Sequence, residues 1–279
     1  MIKGKIILVN FAFGNFYEKK RKLSTLTGKY IAKFDEVYEY GIDDIDKAFY
    51  EKNRAILEQS KGVGLWLWKP YFLNQVFEKL LDGDYLFHCD SASIFLKKIE
   101  VLIKTMDTSN ADIMLFNVPL IEKKWTTPYV LDSLNVSELD RNSNQFSASF
   151  FVLKKTKKSE KFLKDWLAMC QVREFIEGGD VVNQNSNSYF KQHRYDQSLL
   201  SILAKKEAIV PFRDPSQYGE FPERYRFHSE LKVEVYPNSN YPTIILLLRI
   251  NSWYEEYFKY RFKKVLKKYF PAFYKKITS

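Results

Sequence analysis

The chain has 279 residues, of which 46% are hydrophobic and 17% aromatic, and its formal net charge is +10. This balance excludes a disordered polycation and a collagen-like chain, and two Cys with three His exclude a disulfide scaffold and a cysteine-based zinc finger. The length suits one large domain or two small ones, and the basic, aromatic-rich composition predicts an anionic partner.

Strands and helices alternate along the first half of the chain. The hydrophobic pattern predicts strands over residues 5–11, 36–40, 84–89 and 112–118, helices over 45–60, 71–81 and 96–105, and loops over 17–22 and 62–70. This alternation is typical of an α/β fold with a mixed, mostly parallel sheet flanked by helices.

The second half is more irregular. It is predicted to hold strands over 145–154 and 209–212 and helices over 158–171 and 196–205. A polar, irregular segment is expected over 125–144, and loops over 177–188 and 221–229. The sequence shows no internal repeat and no flexible linker. We therefore expect one domain with two functional halves.

The C-terminal segment is basic and amphipathic. Residues 253–279 contain eight Lys or Arg and two Glu, a net charge of +6. Aromatic residues recur at helical spacing, which predicts a helix that binds an anionic membrane surface through 253–279. The alternative is a helix packed on the domain with its lysines in water.

The hydrophobic runs are short. The first covers residues 6–9 and the longest covers 244–248. A signal peptide and a membrane span both need longer runs, so we expect a cytoplasmic protein that is peripheral at the inner face of the membrane.

Two constellations in the first half could carry chemistry. A buried strand delivers Asp90 to its carboxyl end, where a lone carboxylate could hold Mg²⁺ or Mn²⁺; the alternative is an Asp that caps the next helix. Lys69 follows Trp66 and Trp68 just before a helix and could meet a diphosphate as a point charge. The alternative there is aromatic packing at the start of the helix.

Two further constellations lie in the second half. Asp196 and Gln197 begin a helix, and Asp196 could act as a general base or accept a hydrogen bond from a substrate hydroxyl. His228, in a late loop, could be a further ligand to a metal held by Asp90. The alternatives are a helix cap for Asp196 and a structural role for His228. Phosphate-loop, dinucleotide-binding, zincin and nucleophile-elbow motifs are absent from the sequence.

Taken in order, these pieces resemble nucleotide-sugar glycosyltransferases of the GT-A fold, a Rossmann-like fold, and in particular bacterial capsule and lipopolysaccharide enzymes. The likeness spans about residues 5–230 and rests on the segments 66–72, 81–92, 146–153, 162–166 and 195–200 and on His228. The resemblance implies a catalytic domain over 1–242, with a donor half at about 1–115 and an acceptor half at about 116–242, followed by a basic tail over 243–279.

The resemblance also implies roles for the matched residues. The catalytic residues would be Asp196 and Gln197, and Asp90 with His228 would hold Mn²⁺ or Mg²⁺. The donor, a nucleotide sugar of the UDP type, would be bound by Asn10, Phe11, Phe13, Trp68, Lys69 and Asp90. The acceptor would be a glycan or a lipid-linked sugar in surface polysaccharide synthesis.

The chain departs from the family pattern at two places. Ala92 stands where the family has a second Asp, and Ser147-Ala-Ser stands where it has Asn-Ser-Gly. Glu177, Asp180 and Asp196 all remain candidate carboxylates, so retention and inversion both stay open. The rival functions are single-stranded nucleic-acid binding, which we do not expect because no nucleic-acid motif occurs, and an inactive glycosyltransferase-like scaffold.

Overall fold

The computed structural model describes residues 4–179, 189–225, 234–249 and 252–278. The strands are β1 (Ile6–Phe11), β2 (Glu36–Tyr40), β3 (Tyr85–Cys89), β4 (Ser93–Phe95), β5 (Ile113–Met114), β6 (Asn117–Ile121), β7 (Asn144–Phe146), β8 (Phe150–Lys154) and β9 (Ile245–Leu247). The helices are α1 (Asn15–Thr27), α2 (Lys47–Lys52), α3 (Arg54–Leu57), α4 (Gly62–Leu65), α5 (Trp68–Phe77), α6 (Glu100–Thr108), α7 (Glu122–Trp125), α8 (Pro128–Ser133), α9 (Glu138–Arg141), α10 (Lys157–Cys170), α11 (Arg173–Glu177), α12 (Asp196–Lys206), α13 (Gln217–Glu220), α14 (Trp253–Tyr269) and α15 (Pro271–Thr278).

The central sheet has the strand order β2-β1-β3-β8-β5. β1 pairs in parallel with β2 and β3, whereas β8 runs antiparallel to both β3 and β5. Four strands therefore share one direction, which confirms the predicted mixed, mostly parallel sheet. The carboxyl ends of β1 and β3 meet at one edge, and this edge is where ligands bind in open α/β sheets.

Helices cover both faces of the sheet. Successive side chains of β1 point to opposite faces, so Ile7 and Val9 join one buried cluster and Ile6 and Leu8 join the other. Residues of α5, α10 and α12 bury the first cluster, and α6 buries the second. Because helices cover both faces of the sheet, β1 and β3 are continuous apolar runs in the sequence.

The predicted loop at 17–22 is wrong, because these residues lie in helix α1. α1 is rich in Lys and carries few apolar residues, so the hydrophobic pattern gives little helical signal. Its inner face buries Ser24 and Thr25, and Leu23 packs on the cluster that contains Ile94. Tertiary packing thus stabilises a helix that the sequence pattern does not show.

Several predicted elements are present but interrupted. The helix predicted over 45–60 divides at Asn53, and the strand predicted over 145–154 is divided by the segment 147–149. Residues 112–118 divide between β5 and β6, and 209–212 contribute a single bridge, from Phe212 to Phe116. The helix predicted to start at Tyr71 begins at Trp68, with Pro70 in its first turn, where proline is tolerated.

The C-terminal segment is helical and partly packed on the domain. β9, which lies within the predicted tail of 243–279, pairs with β4 of the predicted catalytic domain, and the tail helices begin at Trp253. Tyr260 and Tyr274 are buried, and Lys263 lies 2.7 Å from Glu223. The described helices include none that is long and apolar enough to cross a membrane.

Candidate functional site

A cavity of about 550 Å³ opens at the carboxyl edge of the central sheet. Of the residues predicted to bind a donor, Phe11, Phe13, Trp68 and Asp90 line it. Asn10 does not: it is fully buried on β1, and its side-chain amide makes no hydrogen bond in the described part of the chain. The cavity is lined on its other sides by Ala12, Tyr17, Ser60, Lys61, Gly62, Val63, Trp66, Ser91, Ala92 and Arg249.

Stacked aromatic rings form one wall of this cavity. The rings of Phe11 and Trp68 stack with their centroids 3.9 Å apart, and Trp68 Nε1 donates a hydrogen bond of 3.0 Å to the Gly62 carbonyl. Trp66 has a φ of 62°, in the left-handed region, as the chain reverses between α4 and α5. Its ring lies between this cavity and an adjoining one of about 230 Å³, 5.5 Å from the Tyr195 ring.

A buried ammonium joins two predicted site residues in the adjoining cavity. Lys69 Nζ lies 3.0 Å from Asp196 Oδ2 and 3.5 Å from Asp90 Oδ1, and it donates a hydrogen bond of 3.0 Å to the Ala148 carbonyl. Lys69 comes from the first turn of α5, Asp90 follows β3, and Asp196 begins α12. Three elements distant in sequence thus place two carboxylates around one cation.

The cluster shifts the pKa values of all three groups. Burial disfavours the Lys69 ammonium, but the two carboxylates outweigh it and raise its pKa. Burial would raise the pKa of Asp90, but Lys69 and His88 outweigh it and hold that pKa at about 2. Burial raises the pKa of Asp196 to about 6 despite Lys69. At neutral pH Asp90 is a fixed charge, whereas Asp196 lies close to its titration range.

His88 belongs to the site, although it is not among the site residues predicted from the sequence. Its Nε2 lies 3.4 Å from Asp90 Oδ1, and burial lowers its pKa. Residues two apart in a strand point to the same face, so His88 and Asp90 project together from the end of β3. A lone polar residue within the apolar run 85–89 is the signal that could have identified it.

Gln197 is tied into a buried polar network behind the carboxylates. Its Oε1 accepts a hydrogen bond of 3.5 Å from the Ala148 backbone, and its Nε2 donates one of 2.9 Å to Gln145. Gln145 in turn donates to Glu122, whose carboxylate lies 2.6 Å from Lys205 Nζ. The network joins the start of α12 to the segment 147–149, which separates β7 from β8 and contacts Lys69.

Of the two predicted metal ligands, Asp90 and His228, only Asp90 lies within the described residues. Within residues 4–179, 189–225, 234–249 and 252–278, no group of three His, Cys, Asp or Glu side chains could hold a metal ion. His228, and likewise Asp180, lie outside the described residues. Glu177, the third candidate carboxylate, lines a separate cavity and lies 3.0 Å from Arg173.

Comparison with known proteins gives only structural likenesses. No protein-family model and no curated protein sequence matches the chain. The fold is similar to mouse xyloside xylosyltransferase 1 in its apo form, with 9% identity, a TM-score of 0.47, and 88% of this chain and 98% of that chain covered. It is also similar to the galactosyltransferase LgtC in complex with donor and acceptor sugar analogues, with 12% identity, a TM-score of 0.41, and 88% and 87% covered.

Proposed function

We propose that the protein is a GT-A glycosyltransferase that moves a sugar from a nucleoside diphosphate, of the UDP type, to a hydroxyl of a glycan or lipid-linked acceptor in surface polysaccharide synthesis. The observation that carries this proposal is the Asp90–Lys69–Asp196 cluster. It lies at the carboxyl edge of the sheet, where an aromatic-walled cavity meets a polar one. A base can bind among rings while charged groups face the diphosphate and the sugar.

The donor would occupy the larger cavity. Phe13, Tyr17 and Trp66 offer apolar surface to a nucleoside base, and Phe11 stacked on Trp68 holds that wall rigid. Asp90 lines both cavities, so the diphosphate would bind beside it, between the base and the transferred sugar.

Asp90 would hold a divalent cation jointly with the substrate. Asp90 is ionised and its side chain is 36% exposed to the cavities. Mg²⁺ in phosphate-handling sites commonly uses one or two carboxylates, with substrate oxygens and water as the remaining ligands. When bound, Mn²⁺ or Mg²⁺ would supply Lewis-acid neutralisation of the leaving diphosphate. Asp90 would orient that end of the donor.

Asp196 would act at the reacting sugar. A carboxyl with a pKa near 6 is mostly ionised at neutral pH and can still accept a proton from an acceptor hydroxyl. Lys69 holds its Oδ2, and Gln197 holds the adjoining backbone at Ala148. These residues therefore keep the carboxylate in one orientation.

Calorimetric titration of the full chain with UDP, with and without Mn²⁺, tests the donor site. We expect UDP to bind more tightly with Mn²⁺ and Asp90→Asn to weaken that binding at least tenfold. Asp165→Asn is the matched control, because this Asp pairs with Lys161 on the exposed face of α10 and should leave UDP affinity unchanged. Equal UDP affinity in wild type and Asp90→Asn would contradict the proposed role of Asp90.

We further propose that the tail attaches the enzyme to an anionic membrane surface on the cytoplasmic side. Five residues on one side of α14 are 44% to 66% exposed, namely Tyr254, Phe258, Phe262, Val265 and Tyr269, and Phe273 of α15 is 55% exposed. Tyr260, on the opposite side of α14, and Tyr274 of α15 pack on the domain. Exposed aromatics beside lysines suit a lipid interface, where each basic residue contributes about 1 kcal/mol.

Point variants test the tail better than truncation, because removing α14 would uncover the buried contacts of Tyr260. We expect Phe258→Ser/Phe262→Ser to lower co-sedimentation with vesicles containing anionic lipid at least fivefold. Leu139→Ser, at an exposed residue of α9, is the control and should change nothing. Equal sedimentation by both variants would refute the membrane role, and salt-sensitive RNA binding lost in the Phe variant would favour the nucleic-acid alternative.

A further inference from the structure

A third cavity adjoins the catalytic cluster and shares only Arg249 with the described lining of the donor cavity. It has a volume of about 410 Å³ and shares Ser149, Arg194 and Gln197 with the cavity that contains Asp196. Its lining comes from residues 118–225 and 247–249, whereas the donor cavity is lined by residues 11–92 and Arg249. A molecule in this third cavity would approach the reacting sugar from the acceptor half.

The lining of this cavity is strongly basic. Arg194, Arg224 and Arg249 face it, and its described lining contains no Asp or Glu. Arg224 is paired with Glu256. Among the described residues, no carboxylate oxygen lies within 4.0 Å of the guanidinium group of Arg194 or of Arg249.

Aromatic rings lie against all three guanidinium groups. Arg194 lies over the Trp125 ring at 5.3 Å, and Arg249 and Arg224 lie over the Tyr218 ring at 5.4 Å and 5.2 Å. Burial lowers the pKa of Arg194, the charge of Asp196 opposes that shift, and the charge of Arg249 adds to it. The half-buried Arg194 and the exposed Arg249 thus place two like charges at one cavity, an arrangement that an entering anion would stabilise.

We propose that this cavity is the acceptor site and that it takes an acceptor bearing a phosphate or carboxylate group close to the hydroxyl that receives the sugar. The planar forks of Arg194 and Arg249 match the paired oxygens of either group. Gln197 and Ser149 line both this cavity and the Asp196 cavity, so the bound acceptor reaches Asp196. This inference rests on the proposed function and names its acceptor class.

Calorimetry of the full chain saturated with UDP and Mn²⁺ tests the inference. Methyl phosphate, glucuronate and neutral methyl glucoside are titrated separately. We expect at least one of the two anions to bind, and Arg194→Gln, which changes the arginine that does not line the donor cavity, to weaken that binding at least tenfold while UDP affinity changes less than threefold. Binding of methyl phosphate assigns a phosphoryl group, and binding of glucuronate assigns a sugar acid.

One control variant and one further site variant complete the test. Arg54→Gln removes an exposed Arg that pairs with Glu58, and it should leave anion binding unchanged. Arg249→Gln, at an exposed residue that lines both the donor cavity and this one, should weaken the anion at least threefold and keeps the inference testable should Arg194→Gln fail to fold.

Three outcomes would decide against the proposals. If wild type binds UDP but neither anion, the acceptor inference falls and the proposed function stands. If UDP affinity falls as steeply as anion affinity in Arg194→Gln, the arginines serve the donor diphosphate and the inference is overturned. If the chain binds an anion through these arginines but no nucleotide, the proposed function is overturned instead.

Discussion

Asp196→Asn should lower turnover of the donor by about 10²- to 10⁴-fold, the range expected when a positioned proton acceptor is removed. Asn keeps the shape of the side chain but cannot accept the proton of an acceptor hydroxyl. Lys69 remains paired with Asp90, 3.5 Å away, so UDP should still bind with near wild-type affinity. The measurement is kcat and KM for nucleoside diphosphate release, with UDP affinity measured on the same preparation.

The pH profile separates this role from a structural one. The pKa of Asp196 is about 6, so wild-type turnover should rise as the pH increases through 6, because the active form is the ionised carboxylate. This limb should disappear from the residual activity of Asp196→Asn and persist in the control Asp165→Asn. An Asp196→Asn enzyme with wild-type kcat, or with the same limb near pH 6, would contradict the assignment.

Lys69→Met should destabilise the fold and abolish activity together. Breaking a buried ion pair by removing one partner typically costs about 3–5 kcal/mol, because the remaining charge stays buried without compensation. Asp196 is 4% exposed and would lose the ammonium that lies beside it. Asp90 would lose the same ammonium and would remain as a second carboxylate close to Asp196. Without Lys69 the pKa of Asp196 should rise further above 6, so the folded protein either keeps a buried charge or binds a proton, and either one costs free energy at neutral pH.

Urea unfolding of Lys69→Met and Lys161→Met checks this prediction. Both lysines pair with an Asp, but Lys161 and Asp165 lie on an exposed helix face, where such pairs contribute little. We expect a large loss of unfolding free energy for Lys69→Met alone. Equal midpoints for the two variants would show that the buried cluster is not electrostatically coupled in the way its geometry indicates.

The sequence predicts the parts of the fold whose patterns depend on burial. β1 and β3 are apolar on both faces because helices cover both sides of the sheet, and α12 matches its predicted range to within one residue. The sequence also identifies Asp90 and Asp196 as candidates, since each lies where an element begins or ends. What it cannot show is that Lys69 lies between them, because that contact joins three distant elements.

The remaining features depend on tertiary contacts that leave little local trace. α1 is a polar surface helix stabilised by packing, so its sequence predicts a loop. Arg249 reaches the cavities because β9 pairs with β4, and the Leu248 backbone bonds to the Ala92 carbonyl at 2.8 Å. Through that pairing Arg249 lies beside Ala92, the position at which the resembled family has its second Asp. No local sequence pattern predicts this contact.

Release of nucleoside diphosphate from a panel of nucleotide sugars, with Mn²⁺ or Mg²⁺ present, tests the central claim most directly. The wild-type chain should turn over at least one donor, with UDP-sugars the first expected. Asp90→Asn and Asp196→Asn should each lose that turnover by at least a hundredfold, while Asp165→Asn retains it. No turnover of any donor by the wild type, or turnover unchanged in both site variants, would contradict the assignment of this cluster as a glycosyl-transfer site.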